Sequence, residues 1–267
     1  MAITPRNPSR REFIARSIAA AGALTSAVTA AAASVVPGAS YCPPDADKYD
    51  FLLTRICNNN PDWDFGPGGD KNLLEQLSQV LRVKVKLQDN VKNEYPENGL
   101  PQHFNALVDL KSVDEMRKFP VLFMMGTGAF RMAKAPLENL KQYVLDGGAV
   151  LMDECGSPNR ASDFYNSAYA SLVATFGQDS VKHIPEDHEV YTTVYNVSEP
   201  NIRRWKRPNG ESPGNSGVFV GDRLAVFLCD ADIHCGWADP RDSWIKRAYH
   251  RESIMTGINI MAYFLSH

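Results

Sequence analysis

Three stretches of the chain are apolar at every position: Val121-Leu122-Phe123-Met124-Met125, Ala149-Val150-Leu151-Met152 and Leu224-Ala225-Val226-Phe227-Leu228. Strands covered on both faces read this way, because both sides of the pleat meet other protein. Elsewhere apolar residues recur every three or four positions, the period of a helix with one buried face. Leu73, Leu74, Leu77 and Leu81 do so after Asp70, which stands at the N-cap, and Leu137, Leu140 and Val144 do so between Pro136 and Gly147-Gly148. Tyr165, Ala168, Leu172 and Phe176 follow between Ser157-Pro158 and Gly177, and Ile254, Ile258, Met261 and Leu265 close the chain. Capping residues and Pro at the starts and Gly at the ends punctuate these helices.

Shorter signals fill in the rest. Tyr49 to Cys57 reads as the first strand, and Val83, Val85 and Leu87, alternating with Lys84 and Lys86, read as a half-exposed strand near an edge. Ser112 with Glu115 at N3 predicts a short helix from 112 to 118. Val181 to Ile184 and Gly217 to Val220 are short strand candidates, residues 196–216 form a polar loop, and residues 90–110 carry no clear period. Strands alternating with helices predict an α/β fold, a doubly wound and mostly parallel sheet, in one domain spanning residues 41–267.

Composition changes the picture at the N-terminus. Ser9-Arg10-Arg11-Glu12-Phe13-Ile14 carries a twin-arginine pair, and an uncharged Ala-rich run from Ser17 to Ser40 follows it. A charged start, a mildly apolar middle and small residues for cleavage make residues 1–40 a twin-arginine signal peptide. The protein is then expected to be periplasmic or secreted, touching the membrane only during export. Removing residues 1–40 leaves 24 basic and 30 acidic residues, a net of −6, which argues against a nucleic-acid partner. The Arg203-Arg204-Trp205-Lys206-Arg207 run then reads as a solvated loop. Five Cys remain, at 42, 57, 155, 229 and 235. The odd number leaves at least one thiol outside any intrachain disulfide, and a Cys229–Cys235 bridge would close a short structural loop.

Chemistry is expected at the carboxyl edge of the sheet, where open α/β sheets bind ligands. Polar clusters follow the predicted strands there: Gly126-Thr127-Gly128, Asp153-Glu154-Cys155, and Asp230-Ala231-Asp232 with His234, while His188 lies in a loop able to reach the same edge. One reading makes Cys155 a thiol nucleophile at a strand-to-helix turn, with His188 or His234 as base and the amides of Gly126 to Gly128 as an oxyanion hole. Two acids beside the thiol would oppose its activation. A second reading gives Asp153, Glu154, Asp230 and Asp232, with His188 or His234, to a divalent cation or to acid–base work. The bland reading has the same acids capping helices or pairing with Arg. Gly66-Pro67-Gly68-Gly69 reads as a turn, and Trp63, Trp237 and Trp244 are candidates for a stacking platform. No spacing specifies a cofactor or a metal.

Four motifs in order, taken together, resemble a bacterial family, domain of unknown function 4159. They are Phe123 to Gly128, Leu140 to Asp153 with its Tyr-x-x-x-Gly-Gly, Asp187-His188 with the apolar stretch after it, and Asp232 with Gly236-Trp237. A final helix around Gly257-Ile258-Asn259 also fits, so the resemblance covers most of residues 49–265. The family is similar to the class I glutamine amidotransferase-like superfamily, which implies a flavodoxin-like, three-layer α/β fold. Asp153 and Glu154 match the acid pair of the family's strand end. Cys155 has no counterpart in that pattern, and the Cys-His-Glu set of true amidotransferases is not recognisable. The reading that follows is a non-catalytic module binding a small-molecule or envelope-derived ligand through Gly126, Thr127, Gly128, His234 and Trp237. The alternative is a hydrolase-like enzyme using Asp153, Glu154, Cys155, His188 and Asp232.

Overall fold

A computed structural model describes residues 40–58, 63–88, 104–155, 163–197, 214–230, 232–239, 241 and 247–267. The predicted signal segment, the Ser157-Pro158 cap and most of the 196–216 loop lie outside the described residues. Seven strands form one sheet: β1 (Thr54–Ile56), β2 (Ala106–Val108), β3 (Val121–Gly126), β4 (Ala149–Glu154), β5 (Val181–His183), β6 (Ser216–Val220) and β7 (Arg223–Cys229). Their spatial order is β2-β1-β3-β4-β7-β6-β5. The first five pair in parallel, and β6 runs antiparallel to both of its neighbours. The sheet is therefore α/β and mostly parallel, as the unbroken apolar runs require.

The helices are α1 (Pro67–Leu81), α2 (Val113–Met116), α3 (Lys134–Leu145), α4 (Asp163–Phe176), α5 (Ile233–Gly236) and α6 (Arg247–Ser266). Strand alternation divides the core into two. Phe123, Leu151 and Phe227 face Leu73, Leu77, Trp237 and Ile258, on the side of α1, α5 and α6. Leu122, Met124, Val150, Met152, Val226 and Leu228 face Leu140, Val144, Phe164 and Leu172, on the side of α3 and α4. Each face of the sheet is thus covered by helices, which is why Val121–Met125 of β3, Ala149–Met152 of β4 and Leu224–Leu228 of β7 are apolar throughout.

Local signals act as the sequence predicts at several joints. The Ser112 side chain accepts from the Glu115 amide and starts α2. Gly147 takes φ 108° beyond the end of α3, a backbone angle that glycine reaches without strain. The guanidinium of Arg223 donates to the carbonyls of Val144, Gly147 and Gly148 and closes the same helix end. Three expectations change. The helix predicted from Asp70 begins earlier, at Pro67 behind a left-handed Gly66, so Asp70 lies inside its first turn. Residues 83–87 contribute only a bridge between Val85 and Phe51, where the Lys84 backbone bonds to Asp50 and Phe51 and the Lys86 ammonium pairs with Asp45. The first strand shortens to Thr54–Ile56.

Candidate functional site

Register brings the predicted acids to one edge. Met125 pairs with Asp153, Gly126 with Glu154 and Asp153 with Cys229, so the ends of β3, β4 and β7 lie side by side. Alternation then sends Asp153 and Glu154 to opposite faces. Asp153 points to the α5 side, where its two oxygens accept from the Ile233 amide at 3.2 Å and the His234 amide at 2.8 Å. Those are the first N–H groups of α5, whose own N-cap residue, Asp232, makes no side-chain cap. Glu154 points to the α4 side and accepts from the Tyr165 amide at 2.6 Å, in the first turn of that helix. Each acid of the pair therefore supplies the acceptor that a helix start lacks, with charge of the sign a helix N-terminus favours. Burial pushes the Asp153 carboxyl up to about 7, even though the His234 amide and ring work to lower it.

Next to Asp153 on the same face lies a buried ion-pair network that the sequence pattern does not announce. Arg55 sits on β1 and is 1% exposed. Its Nε and Nη2 each donate to Asp70 at 2.7 Å, a bidentate fork. Its Nη1 donates to the carbonyls of Trp63 and Phe65, and Nη2 lies 2.8 Å from His234 Nε2. The guanidinium is stacked between the rings of Phe104 and Phe123, at 5.1 and 5.2 Å. His234 Nε2 also lies 3.2 Å from Asp70. Burial acts to raise the Asp70 carboxyl, but Arg55 and His234 outweigh it and hold it below the usual carboxylate range. For His234, burial acts to lower the ring's pKa, and the hydrogen bonds to Asp70 and Cys235, with the Asp70 charge, together outweigh it and raise it. A signal for this network does exist: one Arg inside Leu52-Leu53-Thr54-Arg55-Ile56 must find a buried partner, since a lone buried charge is too costly.

The remaining candidates divide. Cys155 lies just past β4, and its Sγ is 3.3 Å from that of Cys235. The two sulfurs and the Asp232 carboxylate all lie within 4.8 Å of one another, in a buried cluster. The Cys155 thiol is pushed well up, by its bond to Cys235, by burial and by Asp232 and Asp153 nearby. A nucleophilic thiolate needs the opposite shift. No disulfide joins Cys229 to Cys235 among the described residues, and the Cys235 sulfur faces Cys155. Trp237 is fully buried against Phe123 and His234 and donates its indole N–H to Ser253, so it forms no open stacking platform. Thr127 and Gly128 are half-exposed beside the β3 end, and Gly126 spends its carbonyl on the Cys155 amide.

The structure does not bring His188 to this edge. Its ring packs on Phe219 and Tyr263, and its Nδ1 accepts from the Val190 amide. Tyr263 in turn meets the amide of Leu224, at the start of β7. Leu224 precedes Cys229 by five residues, and Cys229 pairs with Asp153, so His188 belongs to the far end of the strand, about 17 Å away at the rise of an extended chain. Among the described residues, the imidazole beside Asp153 and Cys235 is that of His234, and its Nε2 is engaged by Arg55 and Asp70.

No curated protein matches the chain. The family model described as Domain of unknown function (DUF4159) matches residues 52–265, and the chain belongs to that family.

Proposed function

We propose that the protein is an exported, non-catalytic module that binds a small-molecule or envelope-derived ligand on a class I glutamine amidotransferase-like, flavodoxin-like scaffold. The observation that carries this reading is the engagement of the acid pair: Asp153 holds the start of α5 and Glu154 the start of α4. Acids committed to helix starts in a dry interior are poor groups for turning over a substrate, which needs them within reach of the reacting atoms. The scaffold assignment draws on the five parallel strands, which, counted among themselves, stand in the order 2-1-3-4-5 that defines the flavodoxin-like sheet. In such a sheet the ligand crevice lies where the order reverses, here between β1 and β3. Thr127 and Gly128, half-exposed at the end of β3, offer the backbone and hydroxyl groups a ligand would meet there. Export rests on the Arg10-Arg11 signal in residues 1–40, with residues 41–267 as the exported domain.

A second reading, the hydrolase-like enzyme, is favoured by one observation: a carboxyl pushed up to about 7 is matched to proton transfer near neutral pH. The two readings part in one experiment. The purified protein is screened against cell-wall peptides, sugars and amino acids by thermal shift, and against ester, amide and phosphoester substrates for turnover. The binding reading expects a saturable rise in melting temperature with one ligand class, no turnover, and loss of the shift when Thr127 is replaced by a bulky side chain in Thr127→Trp. Turnover that disappears in a folded Asp153→Asn protein would overturn it in favour of the enzyme.

A further inference from the structure

We propose that Cys155, Cys235 and Asp232 form a buried site for a thiophilic divalent cation, Zn²⁺ by the chemistry of the donors, that ties the end of β4 to α5.

Cys155 follows the last residue of β4, and its amide is fixed by the Gly126 carbonyl. Asp232 and Cys235 come from the turn and short helix after β7, which the Asp153 carboxylate holds in place. Elements 80 residues apart in sequence thus deliver three donor atoms within 4.8 Å of one another. All three residues are buried. Two thiols and a carboxyl are groups that all ionise to anions, and facing one another in a dry pocket they favour a cation among them. Thiolate and carboxylate donors in this combination suit zinc, which takes four ligands in a tetrahedron.

The sulfur separation supports the same occupant. A disulfide would hold the sulfurs at about 2.05 Å. Two thiolates on one tetrahedral zinc, each about 2.3 Å from the metal, stand about 3.8 Å apart. The separation of 3.3 Å is nearer to the second. A disulfide also has no use for the Asp232 carboxylate, whereas a metal has. The ion enters as the divalent cation, the two thiols each release a proton to solvent, Asp232 binds as its carboxylate, and no oxidation occurs. The fourth position is completed by water or another donor. The oxygen-ligand set suggested by the sequence is different, because Asp153 and Glu154 are engaged with backbone amides.

The test uses the full chain purified under reducing conditions without chelator, from cells supplied with zinc. Metal analysis should find about one zinc per chain, the stoichiometry of a single four-coordinate site. After chelation, titration with Co²⁺ should give the intense near-ultraviolet thiolate-to-cobalt band and the visible bands of a tetrahedral ion. Both signals should be lost in Cys155→Ser and in Cys235→Ser, and kept in Cys42→Ser, whose residue lies on the surface. Zinc should also shield Cys155 and Cys235, but not Cys42, from alkylation in the unsubstituted chain, a readout that stands even if a serine variant fails to fold. The proposal is overturned if the reduced, unsubstituted chain gives no cobalt–thiolate band. It is equally overturned if the band survives in Cys155→Ser, or if protein purified without oxygen already carries a Cys155–Cys235 disulfide, two hydrogens lighter by mass.

Discussion

Arg55, Asp70 and His234 form a buried ion-pair unit, and their arrangement predicts asymmetric mutational costs. Removing one partner of a buried ion pair leaves an uncompensated charge, at a cost of about 3–5 kcal/mol. Arg55→Met should therefore destabilise strongly, and the double variant Arg55→Met/Asp70→Leu should cost much less than the sum of the singles in a denaturation cycle. Additive costs would contradict the pairing. Asp70 also sets a pH dependence. Its folded pKa lies below its unfolded value, so the folded state binds fewer protons, and the stability it contributes is present above the unfolded pKa of about 3.9 and lost as pH falls through the folded pKa. Denaturation measured from pH 5 downward should show a steep acid loss that flattens in Asp70→Asn. Residue-level reading of the sequence located Asp153 and Glu154 at the strand end, but it could not assign their task. That task depends on which helix starts lie above and below the pleat, and periodicity carries no information about that. Arg55 escaped notice for a related reason: its partner is 15 residues away on a helix whose start the Pro67-Gly68-Gly69 sequence obscures.

Elements were legible in proportion to how completely they are buried. β3, β4 and β7 match their apolar runs because the core on both faces dictates every position. Residues 83–87 kept the alternation of a strand without becoming one, since alternation reports a half-exposed extended chain and cannot report whether a partner strand is present. Helix contacts carry their own prediction. Gly236 in α5 lies so close to α6 that an added Cβ would collide with the Ser253 side chain and lie 2.9 Å from the Tyr249 ring. Gly236→Ala should destabilise by about 1–3 kcal/mol, the usual cost of overpacking a filled core, measured by urea denaturation. A neutral result would show that α5 moves freely against α6. Asn259 of α6 makes a comparable clamp. Its side chain accepts from the amides of Val194 and Tyr195 and donates to the carbonyls of Tyr191 and Tyr195. Asn259→Leu keeps the bulk and removes the partner of four backbone groups in the 191–195 segment, so proteolysis should open that segment first.

At the scale of the whole molecule, the sheet class followed from the alternation of strands and helices, while the strand order did not. Order is set by which face each crossover helix covers, and β5 and β6 reach the far edge as short strands whose sequences do not specify a neighbour. The family match spans the sheet from β1 to the last helix and leaves the N-terminal segment outside it. Export is tested there: Arg10→Lys/Arg11→Lys keeps the charge, and twin-arginine export predicts that the precursor stays in the cytoplasm, whereas export at the parental level would exclude that route. Hydrogen exchange at three amides reports directly on the role of the acid pair. If Asp153 and Glu154 hold helix starts, Asp153→Ala should speed exchange at Ile233 and His234, and Glu154→Ala should speed it at Tyr165. A lost cap of one to two kcal/mol makes each change on the order of five- to thirtyfold. Unchanged exchange at all three amides would contradict the claim and return the pair to catalysis or ligand binding.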